Sequence, residues 1–158
     1  MMLELKDASL TIEGRELFKK LSFMALDGQL TCITGPAGSG KTAMVQVMLG
    51  FLPLDDGLVS IDGELLTPKS APFFRRQMAY VPQRLLVPEG YDKVPTDYVS
   101  LLRKAVESGK QLLVVDEPSK ELTMEERQVV NNLFREAQER GATVLAVNMV
   151  TAQNQVTL

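Results

Sequence analysis

Histidine is missing from all 158 residues. Without an imidazole the chain cannot build a Ser–His–Asp triad, a Cys–His pair or a histidine metal site. Cysteine occurs once, as Cys32. That single thiol rules out an intrachain disulfide, a CxxC redox pair and a four-cysteine zinc site. Neither sign of charge dominates: 17 Lys and Arg stand against 20 Asp and Glu, for a net charge of −3. No basic excess points to nucleic acid, and none is expected as a partner. Long apolar runs are lacking, with stretches such as Leu112 to Val115 only a few residues long, so no membrane insertion is expected. The start, Met1-Met2-Leu3-Glu4-Leu5-Lys6-Asp7, lacks the cationic and apolar segments of a signal peptide. An unpartnered thiol without an export signal points to the cytoplasm.

What remains is a globular composition, with 45% hydrophobic and 23% charged residues. It is enough for one domain over residues 1–158. Leu3, Leu5, Leu10 and Ile12 alternate with polar residues, Gly14 interrupts, and Leu21 to Leu26 resumes the pattern. These are short strands around a turn. Leu30 to Thr34, Leu58 to Ile61, Met78 to Val81, Leu112 to Val115 and Thr143 to Val147 read as further strands. Met44, Val47, Met48 and Phe51 fall on one helical face before Gly50 and Pro53 end the run. Residues 84–95 read as a loop and residues 96–108 as a helix. Thr123 and Glu126 form a capping box ahead of a third helix that ends at Gly141. Strand–helix alternation predicts an α/β fold: a parallel-containing sheet flanked by helices, with an antiparallel N-terminal β flank.

Gly35-Pro36-Ala37-Gly38-Ser39-Gly40-Lys41-Thr42 matches G-x4-G-K-[ST], between a buried strand and a helix. The glycines let backbone N–H groups converge on phosphate oxygens, and the helix aims its positive end at the same anion. Lys41 is placed to reach the β- and γ-phosphates, and the Thr42 hydroxyl suits Mg²⁺. The reading is a P-loop NTPase core that takes a nucleoside triphosphate with Mg²⁺. Downstream, Leu112-Leu113-Val114-Val115-Asp116-Glu117 is an apolar strand that ends in two carboxylates. Asp116 would hold Mg²⁺, directly or through water, and Glu117 would polarise the attacking water as general base.

These segments come in one order with Gly50-Phe51-Leu52-Pro53, Asp56-Gly57, Ile61-Asp62-Gly63 and Met78-Ala79-Tyr80-Val81-Pro82-Gln83. In that order the chain resembles the ATP-binding subunits of ABC transporters. The resemblance implies that Gln83 contacts Mg²⁺ and the attacking water.

The chain departs from the family pattern in three places. Only 27 residues, 84–110, separate Gln83 from Gln111. The family inserts a longer helical subdomain there, ending in an LSGGQ-type signature; here the interval is reduced to a short loop and helix, and Glu107-Ser108-Gly109-Lys110-Gln111 reads as a helix end and turn. Met149, beside Asn148, stands where the family has its switch histidine; Met cannot donate a hydrogen bond to a γ-phosphate, though Asn can. Near Ile12 the adenine-stacking aromatic gives way to an aliphatic contact, and Thr123 replaces the aspartate of the D-loop.

Losing one preorganised donor at a developing charge costs about 3–4 kcal/mol. The expected function is therefore Mg·ATP binding with weak or partner-dependent hydrolysis. The alternative is a non-catalytic, nucleotide-dependent docking module. A small P-loop kinase is a third reading, with Arg75, Arg76 and Arg84 as the acceptor clamp. The implied partners are a full-length ABC ATP-binding subunit or a membrane permease, which would hold the chain at the inner face of the membrane.

Overall fold

The computed structural model describes residues 1–36, 40–82, 98–116, 122–147 and 154–158. Alternating side chains build the N-terminal flank. Strand β1 (Leu3–Ile12) buries Leu3, Leu5, Ala8 and Leu10, and pairs antiparallel with β2 (Arg15–Ala25). On its other edge β1 pairs antiparallel with β4 (Asp56–Ile61), which pairs with the two-residue β5 (Glu64–Leu65). The result is a four-stranded sheet in the order β2-β1-β4-β5. At the β1–β4 crossing the chains come very close. A Cβ on Gly57 would lie 2.2 Å from the Asp7 carbonyl oxygen, and its φ of +84° is itself in the left-handed region.

The second sheet is parallel throughout. It is made of β3 (Leu30–Thr34), β6 (Met78–Val81), β7 (Leu112–Asp116), β8 (Thr143–Val147) and β9 (Asn154–Thr157), in the order β6-β7-β8-β3-β9. Its central strands are covered on both faces, as their unbroken apolar runs predict. Leu112, Val114, Leu145, Val147 and Ile33 join the core shared with α1 (Lys41–Met48) and the antiparallel sheet. Leu113, Val115, Val144, Ala146 and Cys32 face the opposite way. There they meet α3 (Tyr98–Glu107), through Leu102, Ala105 and Val106, and α4 (Met124–Glu139), through Val130, Leu133, Phe134 and Ala137. The Thr123 cap is reciprocal: its hydroxyl accepts from the Glu126 N–H and the Glu126 carboxylate accepts from the Thr123 N–H, both at 3.1 Å.

The structure changes one expectation and adds two features that the apolar pattern did not announce. Helix α1 ends at Met48 with the chain turning at Gly50, as that glycine predicts, but the apolar period places Phe51 on its packed face. Phe51 instead leaves that face and is 65% exposed. Phe73 and Phe74 sit on a short helix, α2 (Ala71–Arg75), with Phe74 buried and Phe73 exposed, so only one ring tucks into the core. The polar C-terminal stretch adds β9 to the parallel sheet. The expected loop at 84–95 lies outside the described residues.

Candidate functional site

Parallel pairing brings the carboxyl ends of β3, β7 and β8 to one edge, where ligand sites of open α/β sheets lie. The register fixes how they line up. Val147 at the end of β8 is level with Ile33 of β3 on one side and with Asp116 of β7 on the other. The loop that leaves β3 and the Asp116 carboxylate are thus two strand spacings apart, about 10 Å, at the same height.

Lys41 and Thr42 begin α1, straight after Gly40. Gly40 has φ +95°, and a Cβ there would approach Leu17 Cβ at 3.0 Å. Any side chain would strain the turn and crowd β2. The Lys41 ammonium donates to the Gly35 carbonyl at 2.6 Å, so it lies folded across the base of the loop. Lys41, Thr42, Tyr80 and Asp116 line one cleft of about 310 Å³, whose far wall includes Leu49 and Phe51. A second cleft of about 360 Å³ lies on the other side of Lys41 and Thr42, between Ile12, Leu17 and Gln46. This is the aliphatic surface expected in place of an aromatic.

Asp116 is half-buried and held at two points. The Tyr80 hydroxyl donates to its Oδ2 at 2.7 Å, and the Tyr98 hydroxyl donates to its main-chain carbonyl. Burial pushes the Tyr80 phenol well above its ordinary pKa, and the adjacent carboxylate pushes it further. Tyr80 therefore stays a donor across the working pH range. Neither tyrosine was expected at the site. Tyr80 is an aromatic in an otherwise apolar strand, and its proximity to Asp116 depends on β6 lying beside β7, which local pattern does not reveal.

Among the described residues no three of His, Cys, Asp and Glu gather as a metal cage. The hydroxyl of Thr42 and the carboxylate of Asp116 on one cleft are instead hard oxygen donors, the set that suits Mg²⁺ shared with phosphate oxygens. Arg75 does not act as a free anion clamp. Its guanidinium stacks 4.3 Å over the Phe51 ring and donates to the Leu49 carbonyl at 3.2 Å. Cys32 is fully buried, and burial pushes its thiol up to about 11. Ala37, Gly38, Ser39, Gln83, Arg84, Glu117, Asn148 and Met149 lie outside the described residues.

The ABC transporter family model matches residues 18–142. An Fe(3+) ions import ATP-binding protein FbpC 2 from Pectobacterium atrosepticum is 34% identical over 84 residues, covering 52% of this chain and 24% of that protein. A cytochrome c biogenesis ATP-binding export protein CcmA from Nitrobacter winogradskyi is 38% identical over 72 residues, covering 44% of this chain and 36% of that protein. The matched segments thus span about a third or less of these relatives. A solved structure described as the ATP-binding subunit of an ABC transporter superposes with a TM-score of 0.84 at 17% identity, covering 100% of this chain and 86% of that one. At that identity the likeness shows the fold, and the family model supplies the rest. With its residues 18–142 matched and its fold the same, the chain belongs to the ABC transporter family.

Proposed function

We propose that this chain is one ABC-type ATP-binding core over residues 1–158, with the helical subdomain reduced to 84–110, which binds Mg·ATP and hydrolyses it weakly unless a partner completes the site. The observation that carries this is the single cleft lined by Lys41, Thr42 and Asp116. In this reading Gly35, Pro36, Ala37, Gly38, Ser39 and Gly40 present backbone N–H groups to the phosphates. Lys41 exchanges the Gly35 carbonyl for a phosphate oxygen. Thr42, Asp116 and Gln83 hold Mg²⁺, which, when bound, neutralises charge on the phosphates. Glu117 orients and deprotonates the attacking water. The nucleoside end rests on Ile12 and Leu17 by aliphatic contact alone.

No described helix is long and apolar enough to cross a membrane. The relatives are an import and an export ATP-binding protein, which supports pairing with a full-length ATP-binding subunit or a permease at the inner face of the membrane. The docking alternative shares this nucleotide site and differs only in lacking turnover. The kinase reading loses one arginine of its acceptor clamp, since Arg75 is engaged with Phe51 and Leu49.

Calorimetry with ATP and Mg²⁺, followed by a phosphate-release assay, tests the proposal. The expected result is binding with little release from the chain alone. No binding at millimolar ATP overturns it. Brisk multi-turnover release that Glu117→Gln abolishes overturns the weak hydrolysis, while binding with no release under any partner condition favours docking.

A further inference from the structure

We propose that Tyr80 and Tyr98 act together as positioning residues that aim the Asp116 carboxylate for Mg²⁺, one through its side chain and the other through its backbone. The inference rests on the nucleotide-site reading above and adds residues to it.

The two tyrosines reach Asp116 from opposite faces of the parallel sheet. Tyr80 is level with Val114 on the neighbouring strand. Val114 and Asp116 are two residues apart on β7, so they share a face, and Tyr80 is the diagonal neighbour of Asp116 on the side facing α1. Its hydroxyl holds Oδ2. The other carboxylate oxygen is left to accept from a metal-bound water or to meet the metal itself. Tyr98 belongs to the opposite face, where it packs with Leu102, Val130 and Phe134. It is buried, opens α3 and holds the Asp116 carbonyl, the point where the chain leaves the strand.

A carboxylate on a half-exposed strand end rotates about two side-chain torsions. The hydrogen bond to Oδ2 restricts both torsions before a cation arrives, and the one to the main chain fixes the backbone from which they start. Groups that orient a metal-binding side chain in this way typically alter metal affinity 10- to 100-fold when removed. The arrangement also gives the shortened segment a task. Helix α3 makes up most of the described part of the 84–110 interval, and its first residue anchors the Asp116 backbone.

The test measures ATP binding by calorimetry to the whole chain, in EDTA and across a Mg²⁺ titration, for wild type, Tyr80→Phe and Tyr98→Phe. Thermal melts check folding. Tyr80→Phe keeps the ring and loses only the hydroxyl, so it is expected to fold and to keep its EDTA affinity within about twofold. The Mg²⁺ needed for half of the metal-dependent gain should rise roughly 10-fold. Tyr98→Phe should move the same quantity in the same direction. A purely structural role would shift melting while leaving the Mg²⁺ midpoint alone. An unchanged midpoint in folded Tyr80→Phe overturns the proposal, and a lowered midpoint, marking the phenol as a competitor of the metal, overturns it too. If wild type binds ATP in neither condition, the nucleotide-site reading fails and the positioning role falls with it. Wild-type binding with no variant effect removes the positioning role alone.

Discussion

Lys41 carries the largest single-residue consequence. Its ammonium bridges to Gly35 and is the one described cation at the P-loop turn that also lines the Asp116 cleft. Hydrogen bonds to charged groups contribute about 1.5–3 kcal/mol, so Lys41→Ala should weaken ATP binding on the order of 10- to 100-fold. Calorimetry in parallel with a thermal melt separates this from unfolding. Cys32 is the contrasting case, a chemically versatile residue with no chemistry to perform. Buried and held as a thiol, it should resist a thiol-reactive disulfide reagent at pH 8 and react once denaturant opens the chain. The same raised pKa has a sign for stability. The unfolded thiol ionises near its ordinary 9.0 and the folded one near 11, so Cys32 weakens the fold as pH climbs between those values. The position of Lys41 at the head of α1 and the burial of Cys32 were both legible in the sequence, because a G-K-T run before an apolar helical face marks a helix start and a lone cysteine inside an apolar run is most simply a core residue.

At the level of elements, local chemistry was read well and its reach less so. The Thr123–Glu126 box caps α4 as its spacing requires, and Thr123→Ala should cost about 1 kcal/mol in denaturant unfolding. Gly50 ends α1 as its place in the sequence indicates, but Phe51, which continues the apolar period, was misjudged because it lies beyond that turn. The rejected ring finds a partner in Arg75. Gly57 makes a sharper case. Nothing in its neighbourhood in the sequence announces that the backbone of β1 passes within contact distance, yet a methyl group there would collide with Asp7. Gly57→Ala should lose at least about 2 kcal/mol, a fall in Tm of roughly 4–8 °C by calorimetric scan. Strand β9 escaped a firm reading because its side chains are mostly polar. It earns its place through backbone pairing with β3, for which composition carries no signal.

For the whole molecule, the sequence supplied the class of fold, and the structure supplied which strands are neighbours. That difference decides the site. Asp116 and the P-loop turn were recognised separately, but their meeting depends on β8 lying between β7 and β3. Tyr80 went unnoticed for the same reason, since β6 and β7 are separated by 30 residues, 82–111. Turnover also belongs to this scale. If, as proposed, the 84–110 interval stands in for the signature-bearing subdomain, phosphate release by the chain alone should stay near background. It should rise when a full-length ATP-binding subunit lends its own signature, a comparison a phosphate-release assay makes directly.

Strand β8 contributes no polar side chain to the cleft, only Val147 at its tip. Yet it is the spacer that sets the gap between the P-loop turn after β3 and the Asp116 carboxylate. The backbone ladders on its two edges fix that gap at two strand spacings, while its apolar side chains stand off both faces of the sheet and seat the strand in the two cores. Val144→Ala or Leu145→Ala should therefore lower the melting temperature by opening a cavity, while the metal dependence of nucleotide binding keeps its midpoint.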